Sequence, residues 1–126
     1  PPRSTLFPYT TLFRSRMIHH EIFHMIDNSF PELFKKNQWS ELNNKDFSYA
    51  SCSTCTDLLG LDLEVKKGFL TEYSMSTAEE DMAEIYSLLK TNFKEIDLLI
   101  KKDNILTKKK NFLIKGLKEI DEKFIF

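Results

Sequence analysis

The feature that most constrains this chain is a pair of histidines four residues apart, in His20-Glu21-Ile22-Phe23-His24. On a helix such residues lie one turn apart on the same face. The flanking residues support a helix, because Met17, Ile18, Ile22, Met25 and Ile26 recur at helical spacing. No breaker interrupts them before Ser29-Phe30-Pro31, and the residue before a proline is pushed out of the α region. A helix is therefore predicted from Met17 to about Asn28. It can present two imidazole nitrogens to one metal ion. Glu21 stands beside the first histidine, placed to take a proton from a metal-bound water. That spacing suits zinc hydrolysis, since zinc lowers the pKa of its water towards about 7 and a carboxylate can accept the proton as a carbonyl is attacked. His19 projects about 100° away from His20, so its expected place is on the surface or behind the ligands.

Bulk properties exclude several classes. A net charge of −1 offers no basic field for nucleic acid. The Lys101-Lys102 and Lys108-Lys109-Lys110 clusters read as solvated helix faces. No apolar run reaches the length of about 18 residues that spans a bilayer. Few glycines and prolines argue against a fibrous or low-complexity chain. Cys52-Ser53-Thr54-Cys55 is half of a structural zinc site at most. Its expected state is a loop disulfide or two reduced thiols, and the compartment stays undecided.

Residues 1–15, PPRSTLFPYTTLFRS, repeat Thr-Leu-Phe and Arg-Ser, contain no acidic residue and show neither helical nor strand periodicity. The segment resembles the in-frame translation of a common short-read sequencing adaptor, and such a segment is set aside before fold reasoning. The expected division is a non-native segment, 1–15, and one domain, 16–126. Without Arg3 and Arg14 the net charge of −1 becomes about −3. Any targeting signal or lipidation site is then expected upstream of Arg16.

Downstream, Pro31 can open a short helix, Glu32 to Lys36. Residues 37–68 read as a long irregular stretch of short helical or extended pieces. Phe69 to Met75 reads as a short extended segment. Ser76 or Thr77 then caps a strong helix, Ala78 to about Leu89, where Ser76-x-x-Glu79 fits a capping box. Met82, Ile85, Tyr86 and Leu89 form its apolar stripe. Phe93, Ile96, Leu99 and Ile100 suggest another helix. Ile105, Phe112, Leu113, Leu117, Ile120 and Phe124 suggest a last one, weakened at Gly116. The predicted class is mainly α.

A catalytic zinc commonly takes three protein ligands and a water. Asp27 follows His24 by three, yet one straight helix can hardly wrap three ligands around a tetrahedral ion. Asp27 is therefore expected to stand behind the ligands or to serve the fold. The better source is Glu79-Glu80-Asp81-Met82-Ala83-Glu84. Glu80 and Glu84 share one face, where their mutual repulsion would be relieved by a cation. The alternative is an acidic, solvated first turn favoured by the helix dipole.

HEIFHMID and GFLTEYSMSTAEEDMAEIYSLL together resemble a bacterial family of zinc-binding metallopeptidases. That group includes substrate-import-associated zinc metallohydrolase lipoproteins and, more distantly, the catalytic domain of anthrax lethal factor. The resemblance implies one zinc per chain, held by His20, His24 and Glu80, with Glu21 as general base. It implies that the Tyr73 phenol steadies the oxyanion or the metal-bound water. It also implies that Glu84 orients a zinc-bound histidine, and it matches Asp27. The implied fold is the C-terminal, helical part of a zincin-type domain of gluzincin kind, N-terminally truncated, with the upstream β-sheet missing. A lipid anchor on the missing N-terminus and a bacterial envelope or extracellular location are implied in the same way.

The expected function is thus zinc-dependent hydrolysis of peptide bonds in a peptide or protein substrate. A catalytically idle zinc-binding component of an envelope nutrient-import system is the alternative. A third reading is a helical interaction module whose histidines bind no metal.

Overall fold

The computed structural model describes residues 3–126, with side chains from Thr11 onward. The chain is mainly helical, as predicted, with five α-helices and one two-stranded sheet among the described residues. Helix α1 spans Arg3–Ser29, α2 Lys36–Ser40, α3 Ala78–Thr91, α4 Phe93–Lys101 and α5 Asn104–Ile120. Strands β1, Leu63–Lys66, and β2, Phe69–Thr71, form an antiparallel hairpin. No helix among the described residues is long and apolar enough to cross a membrane.

Helix α1 ends at Ser29, as the proline at 31 predicts, but begins well before Met17. Extending an existing helix fixes one residue per hydrogen bond gained, so the upstream turns need no apolar stripe. Leu12, Phe13 and Arg14 are accordingly exposed. The buried face of α1 also differs from the apolar pattern. Ile18 and Met25 are 60% and 68% exposed, whereas Arg16, His20, Phe23 and Asp27 are buried. These four recur at intervals of four, three and four, a single helical stripe turned towards α3.

Helix α3 is the centre of the molecule, buried without interruption from Asp81 to Leu89. Its expected stripe of Met82, Ile85, Tyr86 and Leu89 joins Phe23, Phe34, Trp39, Ile96, Ile100, Leu106, Leu113 and Leu117 in one core. The cap sits one residue later than the predicted box. Thr77 Oγ1 accepts from the Glu80 N–H at 3.2 Å, while the Ser76 hydroxyl donates to the Tyr73 carbonyl at 2.7 Å. The short helix predicted for 32–36 is a single 3-10 turn, Pro31–Leu33. Extended backbone at Lys35 (ψ 121°) separates it from α2. Residues 37–68 contain the short pieces expected, namely α2, a 3-10 turn at Ser53–Cys55 and β1.

One lysine departs from the solvated reading. Lys108, Lys101 and Lys102 are exposed, but Lys109 is fully buried because it falls between Leu106 and Leu113 on the core stripe of α5. Its ammonium donates to Asp81 at 2.7 Å and to the Gly68 carbonyl at 2.6 Å, and lies 3.8 Å from the centre of the Phe69 ring. Gly68, at φ +86°, turns the hairpin, and its N–H donates to Asp103, the residue that caps α5.

Gly116 lies inside α5 for packing reasons. A Cβ there would stand 2.5 Å from Phe34 Cε1 and 3.2 Å from the Leu33 carbonyl oxygen. On an isolated helix Gly→Ala is worth about 1 kcal/mol of stabilisation. Phe34 is fully buried and cannot retreat. We expect Gly116→Ala to lower stability by about 1–3 kcal/mol, read as a fall in the urea midpoint with unchanged slope.

Candidate metal centre

The polar stripe of α1 meets the first two turns of α3. Glu80 occupies the first turn, fixed by the Thr77 cap, and Glu84 lies one turn further along. His20 lies between them. Its Nε2 is 2.8 Å from Glu80 Oε2, and its Nδ1 is 2.9 Å from Glu84 Oε1. His24 Nε2 stands 3.1 Å from His20 Nε2 and 3.2 Å from the same Glu80 oxygen. One ligand atom from each of His20, His24 and Glu80 thus lies within 4.8 Å of the other two, a group able to hold a metal ion.

The donor set fits zinc. Ligands about 2.0–2.1 Å from a tetrahedral ion lie roughly 3.3 Å from one another, close to the three separations seen here. The tautomer fits as well. With its proton on Nδ1, facing Glu84, His20 keeps the Nε2 lone pair on the side of His24 and Glu80. Metal-bound histidines usually donate their other ring N–H to such a carboxylate.

Glu84 is itself held from two further directions. Arg16 Nη2 donates to its Oε2 at 2.5 Å, and the Thr71 hydroxyl donates to the same oxygen at 2.8 Å. Arg16 also donates to the Leu61 carbonyl at 2.7 Å. Neither Arg16 nor Thr71 stands out in the sequence. Arg16 precedes His20 by four, a signal available only once the polar side of α1 is known to be buried. Thr71, thirteen residues before Glu84, leaves no local signal.

Tyr73 lies in the 3-10 turn joining β2 to α3. Its ring is stacked 6.1 Å from that of His20. Burial, together with the charge of Glu80, pushes the phenol pKa above its ordinary value. Glu21 is exposed and has no hydrogen-bond or ion-pair partner among the described residues. Asp27 serves the fold and does not back the ligands. Both of its oxygens accept from Lys36 Nζ at 2.6 Å, and Lys36 also donates to the Phe34 carbonyl, tying the end of α1 to the chain beyond Pro31. His19 is half-buried, its ring 6.4 Å from that of Tyr86 and turned away from the cluster.

Behind Glu80 runs a second polar network. Besides Lys109, Asp81 Oδ2 accepts from Trp39 Nε1 at 3.0 Å and from the Tyr49 hydroxyl at 2.5 Å, and Asn43 donates to Tyr49 at 2.9 Å. It fixes the helix residue next to Glu80 from the side opposite the metal group. Cys52 and Cys55 form a disulfide, one of the two states expected of them.

A mainly helical domain that brings two histidines of one helix and a glutamate of another to a single point has the donor set of a zinc protein. The chain belongs to the family described as "Putative zinc-binding metallo-peptidase", whose model matches residues 7–126. The matched span begins within the first fifteen residues. No curated protein and no solved structure matches the chain.

The electrostatics of the cluster give it a pH signature. Burial alone would lower the pKa of His20, but hydrogen bonds to Glu80 and Glu84 and their negative charge raise it to about 9. Burial alone would raise Glu80, but hydrogen bonds from His20 and His24 hold it down at about 2. A raised histidine contributes stability that is complete below its unfolded value, about 6.5, and is lost as pH climbs through 9. A depressed glutamate contributes stability that is complete above about 4.5 and is lost as pH falls towards 2. Chelator-treated protein should therefore melt at progressively lower temperature from pH 7 to pH 9.5. Zinc uptake must displace the proton on His20 Nε2, so apparent zinc affinity should rise about tenfold per pH unit up to pH 9, measured by competition with a zinc dye.

Proposed function

We propose that the protein is a zinc metallopeptidase of gluzincin type that hydrolyses peptide bonds, with His20, His24 and Glu80 as the metal ligands. The observation that carries this reading is the convergence of those three side chains on one point while Glu84 holds the far nitrogen of His20. A zinc ion, if held by His20, His24 and Glu80, would supply Lewis acidity there, polarising a carbonyl and lowering the pKa of a coordinated water.

The remaining roles follow from exposure and position. Glu21 neighbours a ligand and is engaged by no other group, which leaves it free to take the proton of the attacking water. Tyr73 carries its O–H on a ring stacked against that of His20. Its phenol stays protonated near neutral pH and can donate to the substrate oxygen as negative charge builds there. Arg16 and Thr71 bond to none of the three ligands and act by holding Glu84.

Purified protein should carry close to one zinc per chain, and His20→Ala and Glu80→Ala should each abolish it. Glu21→Gln should keep the zinc and lose about 10²–10⁴-fold of peptide cleavage. Tyr73→Phe should keep the zinc and lose about 10²-fold in kcat, the scale of one oxyanion donor. Zinc-loaded protein that cleaves nothing across a broad peptide panel would instead point to an idle binding component. Unchanged metal content in His20→Ala and Glu80→Ala would sink the zinc site itself.

A further inference from the structure

The Thr71 hydroxyl holds Glu84, and it makes a second bond that leads elsewhere. As the last residue of β2, Thr71 has its backbone fixed by pairing with Leu63. Its β-branched side chain has few rotamers open to it in that setting. The hydroxyl donates to Glu84 Oε2 at 2.8 Å and accepts from the Ser74 N–H at 3.1 Å. These directions are forced, because an ionised carboxylate can only accept and a backbone N–H can only donate.

Ser74 answers with its own side chain. Its hydroxyl donates to the Thr71 carbonyl at 2.5 Å and accepts from the Thr71 N–H at 3.3 Å. Three hydrogen bonds thus join Thr71 to Ser74 across the residues between them, Glu72 and Tyr73. Thr71 is 1% exposed and Ser74 and Glu84 are 0% exposed, so water cannot take over these bonds. The other bonds of the turn lead away from Glu84. The Tyr73 N–H donates to the Gly60 carbonyl at 2.9 Å, and the Tyr73 carbonyl accepts from the Ser76 N–H at 3.0 Å and the Ser76 hydroxyl at 2.7 Å. Thr71 is therefore the direct link from the Tyr73 turn to Glu84, whose other oxygen accepts from His20 Nδ1 at 2.9 Å. The Tyr73 ring closes the circuit, 6.1 Å from the His20 ring and inclined to it by 29°.

We propose that Thr71 is a positioning residue for Tyr73: by sharing one hydroxyl between Glu84 and the Ser74 N–H, it fixes the Tyr73 ring relative to His20. One side chain then sets two parts of the site in register, a metal ligand through Glu84 and the phenol through its turn. The effect on catalysis rests on the role assigned to Tyr73 above; the effect on the position of the ring does not. Arg16 differs in kind. It donates to the same Glu84 oxygen at 2.5 Å, but its other bond goes to the Leu61 carbonyl and not to the turn. Thr71→Val keeps the shape of the side chain but leaves the buried Ser74 N–H without its acceptor, and an unmet buried donor costs its full desolvation. The turn should relieve that cost by swinging the N–H, and Tyr73 with it, out of place beside His20.

The test uses the full chain, as isolated and with its zinc measured, labelled with ¹³C at the tyrosine ring carbon bearing the hydroxyl. The Tyr73 signal is assigned by its disappearance in Tyr73→Phe. Thr71→Val should move that signal, and Thr71→Ser, which keeps the hydroxyl, should leave it where it was. The Tyr49 and Tyr86 signals should stay still in both, and zinc content should not change. Ser74→Ala cuts the turn from the Thr71 backbone without touching the bond to Glu84. It should move the Tyr73 signal as well, and it carries the test should Thr71→Val fail to fold. If the protein cleaves peptide, Thr71→Val should lower kcat several-fold with KM unchanged, and by a smaller factor in a Tyr73→Phe background. A Tyr73 signal that stays in place in Thr71→Val, or in Ser74→Ala if only that variant folds, would overturn the proposal and leave Thr71 as a support of Glu84 alone. Loss of zinc in step with the signal, or equal kcat losses in the two backgrounds, would also count against it. So would movement of all the tyrosine signals together, the mark of a general loss of structure. Absence of zinc or of cleavage in the unaltered chain would defeat the peptidase reading alone, because the tyrosine signal would still report the coupling.

Discussion

His20 wedged between Glu80 and Glu84 is the contact on which the rest of the structure depends. It joins α1 and α3, the most extensively packed pair of elements among the described residues, through a buried imidazole bonded on both nitrogens. Buried charge is tolerated only when paired and hydrogen-bonded, and Arg16 and Thr71 complete that requirement for Glu84. The same bonds that dock α1 also set the orientation of His20, so fold and candidate chemistry share one set of atoms. An apolar seam would hold the helices as well, but it would leave no ligand aimed at the His24 and Glu80 donor atoms.

The far side of α3 is secured by a different buried pair. Asp81 and Lys109 are both fully buried, and burial favours the uncharged form of each, raising Asp81 and lowering Lys109 against their mutual attraction. Removing one member of such a pair typically costs about 3–5 kcal/mol. Trp39 and Tyr49 add donors to Asp81, and Phe69 and Trp39 offer ring faces to the ammonium. This network draws α5, the hairpin turn and segment 39–49 onto the first turn of α3. Glu80 is thereby held at a defined height opposite the histidines, with the Thr77 cap as its local support.

Much of this was legible beforehand because its causes are local. The end of α1 before Pro31 follows from steric exclusion, and the apolar stripe of α3 from helical period. The convergence of His20, His24 and Glu80 was legible in outline, since two short motifs carry the right residue types at helical spacing. Less legible was which side of α1 turns inward. Hydropathy favours Ile18 and Met25, whereas the buried stripe is Arg16, His20, Phe23 and Asp27. Polar residues enter a core only through partners, and those partners lie 45–68 positions away in the cases of Arg16 and His20. Lys109 reads as one of a solvated lysine cluster for the same reason, its partner Asp81 being 28 residues distant. Asp27 was drawn to Lys36 across a proline turn whose geometry the spacing did not reveal.

The sequence by itself determined a mainly helical chain, the helix presenting two histidines on one face, and a second helix whose first turns carry the carboxylates. These follow from periodicity, capping and breakers within about a dozen residues of each other. Only the tertiary structure decided that Glu80 approaches both histidines, that Glu84 takes the opposite nitrogen of His20, and that Arg16 and Thr71 stand behind Glu84. Each of those outcomes is the pairing of a buried polar atom with a partner brought from another element. Local sequence can supply such atoms, but only packing chooses between them.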